Sequence, residues 1–178
     1  MTAPLPDTAP GFDQPIAMLK HCHDRIRKQL NTLQKLRAHL PISGADLEAQ
    51  QAATAVLRYF NQAAPNHHAD EEVDLLPMLQ STATGADAVL LEALIPQILA
   101  EHERMQHAWA AIDAQLQSVA SGASDQLSEA AISAFCAAYA AHMDQEETHV
   151  APMAKRLFSA EQMARLGNAM RIRRGVEE

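Results

Sequence analysis

His67-His68-Ala69-Asp70-Glu71-Glu72-Val73-Asp74-Leu75-Leu76-Pro77 has a second copy in the chain, His142-Met143-Asp144-Gln145-Glu146-Glu147-Thr148-His149-Val150-Ala151-Pro152. In both, a Glu follows the leading His by four residues, a second Glu comes next, and a Pro stands six residues beyond the first Glu. On a helix, residues i and i+4 share a face one turn apart. Each copy therefore directs an imidazole and a carboxylate at one point. Two such pairs facing each other read as a binuclear metal site.

The repeat extends outward from the motif. Phe60 precedes His67 by seven residues and Phe135 precedes His142 by seven, while Val150 and Met153 answer Leu75 and Met78. Ile16-Leu19-His23-Ile26-Leu30-Leu33 superposes without a gap on Ile95-Ile98-His102-Met105-Trp109-Ile112. Both series have the three-and-four spacing of a core-facing helical stripe, each with one slot taken by a histidine.

These patterns predict four long helices. The first runs from about Gln14, with Asp13 as cap, to His39 and stops before Pro41. The second starts at a capping-box-like Ser43/Asp46, is kinked or broken at Pro65, and ends near Pro77. Residues 80–86 are expected as a loop. The third helix covers about Asp87 to Val119, interrupted or restarted at Pro96, and the fourth about Gln126 to Val150. Ser159 and Gln162 predict a short capped fifth helix to about Arg171, followed by a solvated Arg-rich end. The expected fold is all-α, an up-down-up-down four-helix bundle with a short extra C-terminal helix. Its expected divisions are a disordered Pro-rich tail (1–12), the bundle (13–158), and the short helix and tail (159–178).

Composition agrees with this class. The chain has 178 residues, 48% hydrophobic but only 4% aromatic, with six glycines, which is helix-former usage. A net charge of −8 gives no electrostatic footprint for nucleic acid. The N-terminus lacks the basic and apolar regions of a signal peptide, and no stretch has the ~20 apolar residues of a membrane span. Cys22 and Cys136 form no C-x-x-C motif, and two such thiols point to a reducing compartment. The expectation is a cytoplasmic protein.

Every predicted long helix contributes to one interior layer: His23; His67 and Glu71; His102; His142 and Glu146. Leaving such groups buried without partners costs roughly 1–3 kcal/mol each, and more if ionised. Divalent metals satisfy all six. A mixed imidazole and carboxylate set favours iron or manganese over calcium or magnesium, and the absence of thiolates disfavours an iron–sulfur cluster. A single four-coordinate zinc would strand two ligands. Two irons bridged by Glu71 and Glu146, with one oxo or hydroxo bridge, fill roughly ten of about twelve octahedral positions. At least one position stays open to a small ligand such as dioxygen, nitric oxide or peroxide.

The order His, His-x-x-x-Glu, His, His-x-x-x-Glu, with the phrases His67 to Pro77 and Glu101-His102-Glu103-Arg104, resembles the hemerythrin-like family, or HHE cation-binding domain. The resemblance covers about residues 14–158. It implies a four-helix bundle with an oxo-bridged non-haem di-iron centre that binds dioxygen or related species. Two departures from the oxygen carriers stand out. Their second third-helix His is Gln106 here, and their final Asp is Glu146. The chain looks closer to bacterial members that sense oxygen, nitric oxide or peroxide, or that handle iron. The expected function is therefore a di-iron sensor or binding protein. The alternatives are a di-iron oxidase or peroxide-decomposing enzyme, and an iron storage or handling protein. Manganese or a mixed-metal centre stays open, as does the oligomeric state.

Other residues take blander readings. His68 reads as a supporting or inter-helix histidine rather than a ligand. His149 and Asp74 read as possible supports for the ligands. Tyr139, Trp109 and Met105 read as core, Cys22 as pointing off the face of His23, and His21, His39 and His107 as peripheral.

Overall fold

The computed structural model describes residues 9–177. Most of the tail expected over residues 1–12 lies outside that range, as does Glu178. Among the described residues every regular element is helical, and no helix is long and apolar enough to cross a membrane.

The first rod is α1 (Pro15–Ser43). Pro15 occupies its first turn, where the missing N–H would be unpaired anyway, and the cap position is Gln14 rather than Asp13. The helix does not stop before Pro41. That proline falls in the last turn, and the rod closes where Gly44, at φ 65°, donates its N–H to the Leu40 carbonyl.

The second rod spans 47–82 as α2 (Leu47–Arg58), α3 (Ala64–Ala69) and α4 (Leu76–Thr82), joined by wide π-helical turns at Tyr59–Ala63 and Asp70–Leu75. Asp46 caps it, accepting from the Ala49 N–H at 2.9 Å. The third rod is α5 (Gly85–Ala120), continuous through Pro96. The fourth is α6 (Glu129–Gln145) and α7 (Ala151–Leu157), joined by a π-helical turn at Glu146–Val150. Ser128 caps α6 by accepting from the Ala131 N–H. Last comes α8 (Ala160–Arg173), which starts on the expected Ser159/Gln162 capping box.

The π turns explain why two expected helix ends are not ends. In each, the last donor reaches five residues back: Ala64 to Tyr59, Leu76 to Glu71 and Ala151 to Glu146. The next residue in each case is a proline, Pro65, Pro77 or Pro152. A helical proline clashes with the carbonyl four residues back and cannot donate. Widening the preceding turn moves that carbonyl aside, so the helices run on to Thr82 and Leu157 rather than stopping near Pro77 and at Val150. The loop expected at 80–86 shrinks accordingly to Ala83 and Thr84.

α1 packs on α2 and α6, and α5 packs on the same two helices. Two apolar cores result. One gathers Ile26, Leu30 and Leu33 with Val56, Phe60, Ile112, Phe135 and Tyr139. The other gathers Ile16 and Leu19 with Leu75, Leu79, Ile98, Val150, Leu166 and Met170. The histidines that interrupt the stripes fall between them.

α8 completes the second core. Gly167 lies against the Phe12 backbone so closely that an added Cβ would sit 1.8 Å from the Phe12 carbonyl oxygen. The arginines beyond Arg171, expected in solvent, are instead engaged. Arg173 and Arg174 both pair with Asp70, which is fully buried, and Arg173 also reaches Asp74 at 2.6 Å. Asp74 thus anchors the C-terminal helix rather than an imidazole.

Candidate metal centre

His23 sits on α1, His67 on α3, His102 on α5 and His142 on α6, while Glu71 and Glu146 each lie in a π turn. All six are buried between the two cores. Their donor atoms form two overlapping groups, each with every atom within 4.8 Å of the others: His23, His67, Glu71 and Glu146, and His102, His142, Glu71 and Glu146. The two carboxylates belong to both groups.

The outer ring nitrogens are held by carboxylates on neighbouring rods. His23 Nδ1 pairs with Glu147 at 2.9 Å, His102 Nδ1 with Glu72 at 2.6 Å, and His142 Nδ1 with Glu101 at 3.0 Å. An ionised carboxylate only accepts, so each of these Nδ1 atoms carries a proton, and in neutral imidazole Nε2 is then a lone pair. The inner contacts set lone pair against lone pair. His102 Nε2 lies 3.0 Å from His142 Nε2, and His23 Nε2 lies 3.1 Å from Glu146 Oε2. His67 Nε2 is 3.1 Å from Glu71 Oε1 without hydrogen-bond geometry. Glu71 Oε2 and Glu146 Oε1 are likewise buried without a hydrogen-bond partner. Only cations, either protons or metal ions, reconcile such an inward array.

The electrostatics express the same demand. Burial disfavours the His23 imidazolium, but hydrogen bonds and charge from Glu146 and Glu71 outweigh it and hold His23 up at about 10. His102 is held at about 9 against the same desolvation, by Glu71 and Glu72. At His67 burial outweighs the opposing charge of Glu71 and pushes it down to about 3. Glu71, though buried, is held well below the usual carboxylate range by His67, His102 and His23, whereas burial and the Glu71 charge push Glu146 up. Two carboxylates this close cannot both ionise cheaply without cations between them.

Two cavities reach the layer. One, of about 210 Å³, is walled by Ile16, Leu19, Leu75 and Val150 and touches His23, Glu71 and Glu146. The other, of about 510 Å³, lies between the second and third rods and touches His68, His102, Trp109 and Tyr139.

All six residues expected as ligands are thus brought together. Glu72, Glu101 and Glu147 were not read from the sequence as partners of the imidazoles. For Glu72 and Glu147 the repeated Glu-Glu doublet was the available signal, because its second member lies about 100° round the helix and points at the adjacent rod. His149 is exposed and outside the cluster, and His107 is exposed as well. His68 reaches between helices: its ring stacks on His102, with centroids 4.0 Å apart and planes 13° from parallel.

Comparison with known proteins agrees with this geometry. A protein of Haemophilus influenzae, described only as uncharacterized, is 29% identical over 167 residues, covering 94% of each chain. The family model "Hemerythrin HHE cation binding domain" matches residues 14–154, a span that holds all six inward-facing donors. The chain belongs to the hemerythrin HHE cation-binding family.

Proposed function

We propose that this chain is a non-haem di-iron protein that binds dioxygen or a related small oxidant, as a sensor or binding protein in the cytoplasm. One ion is assigned to His23, His67, Glu71 and Glu146, the other to His102, His142, Glu71 and Glu146, with both glutamates bridging. The rods are read as an up-and-down four-helix bundle around this layer, with α8 added. The observation that carries the reading is the inward array of donors: three imidazoles are locked by their outer nitrogens, so in the neutral rings the inner nitrogens can only accept.

A bridged iron pair supplies electrons and an open position for a small oxidant. The residues supply the rest. Glu72, Glu101 and Glu147 fix ring orientation and raise imidazole basicity. Glu71 and Glu146 balance positive charge. Ile16, Leu19, Leu75 and Val150 give one approach an apolar wall. Two carboxylates neutralise less charge than four would, which disfavours iron beyond the ferric state and so favours binding over oxygenase chemistry.

The test is to load anaerobic protein with ferrous iron, admit air, and follow the visible spectrum and oxygen uptake. A reversible band is expected. Irreversible stoichiometric oxidation would assign storage instead, and continued uptake with a reductant would assign an enzyme. Glu71→Ala and Glu146→Ala should each abolish two-iron loading. Retention of two irons in either variant would remove the bridging assignment.

A further inference from the structure

His68 has no counterpart in the second copy of the motif, where Met143 takes its place. Met143 is simply buried in the apolar core. The His68 Nε2 is buried and has no hydrogen-bond partner. A ring nitrogen of His68 and donor nitrogens of His102 and His142 all lie within 4.8 Å of one another. The stack on His102 holds the two rings face to face in near-parallel planes. A buried polar atom without a partner costs roughly 1–3 kcal/mol, and the other half shows that a thioether serves for packing at this place. Packing alone therefore does not account for an imidazole here.

We propose that His68 is a fifth protein ligand to the ion held by His102, His142, Glu71 and Glu146. The proposal rests on the two-ion reading above and adds to it that the two positions are unequal. The His102 position receives three imidazoles from three rods. The His23 position receives two, beside the cavity of about 210 Å³.

The test uses cobalt(II), whose visible bands strengthen as coordination number falls. The metal-free full chain and its His68→Phe and His68→Met variants are titrated with Co²⁺ and followed by absorption and calorimetry. Phe keeps a flat ring against His102, and Met is what the second copy holds at this place. Circular dichroism and melting of the metal-free variants report folding, so at least one well-folded variant is available to judge. The wild type should bind two ions. In the variants one ion should bind as before, the other roughly 10–100-fold more weakly, with a more intense band for the weakened ion. Unchanged affinities and bands would overturn the assignment, as would equal weakening of both ions, which marks a packing role. A wild type that takes up fewer than two ions would overturn the two-ion reading itself, and the His68 assignment with it.

Discussion

Glu72, Glu101 and Glu147 hold three imidazoles by Nδ1, and their removal tests whether orientation or charge matters more. Glu101→Ala should lower metal affinity about 10–100-fold, because His142 loses the partner that fixes its tautomer. Glu101→Gln should cost less, since the amide oxygen still accepts from Nδ1–H. Calorimetric titration of both variants checks the order. Protons give a second reading. His23 and His102, held at about 10 and about 9, are protonated near neutral pH in the metal-free protein. Ligation requires them neutral, so metal uptake at pH 7.5 should release about two protons, seen as a buffer-dependent binding enthalpy. The same values set a sign for stability. With their pKa raised above the unfolded value, these two residues contribute stability that is full below about pH 6.5 and is lost as the pH rises through 9–10. Chemical denaturation of metal-free protein across that window should show the decline, and Glu146→Gln should flatten it by removing the negative charge that favours the His23 imidazolium.

At the scale of elements, the π turns and α8 divide what could be read from the chain from what could not. Helical stripes, the two His-x-x-x-Glu faces and the Ser159/Gln162 cap are local patterns with fixed periods, and they were legible. Pro77 and Pro152 were misread as terminators because the rule for proline assumes a turn of ordinary width. The widened turns also carry Glu71 and Glu146, so the prolines aim the carboxylates rather than end the rods. Pro152→Ala should leave helix content intact but let the Glu146–Val150 turn narrow. Metal affinity should then drop about tenfold, checked by titration beside far-ultraviolet circular dichroism. The grip of Arg173 and Arg174 on Asp70 was illegible for a different reason. It joins positions about a hundred residues apart, and no periodicity links them. Asp70 is wholly buried, so Arg173→Ala with Arg174→Ala leaves a carboxylate without its cations. That should destabilise the chain by about 3–5 kcal/mol, measured by urea unfolding. Asp70→Asn in the same background should recover part of the loss. Gly167→Ala should also loosen α8, because its Cβ would enter the Phe12 backbone.

At the scale of the molecule, a polar slab separates two apolar cores, and every rod contributes to it. Without cations the slab balances itself only through shared protons and orphaned lone pairs, so it is the layer where the fold is held least well. Metal binding and folding are then one equilibrium, because the donors converge only in the folded chain. A ligand at a hundred times its dissociation constant adds about 2.7 kcal/mol per site. In a chain of this size each kcal/mol moves the melting temperature by about 2–4 °C. Two filled sites should therefore raise it by roughly 10–20 °C over protein stripped with a chelator, read by calorimetry at pH 7.5. The gap should close as the pH falls below about 6, where protons compete with metal for the imidazoles. A melting temperature indifferent to the chelator would mean that the slab is satisfied without metal. Because the donors proposed for each ion come from three rods, the metal-loaded protein should melt in one transition, while the stripped protein, whose two cores meet across a polar layer without cations, should show a broader one.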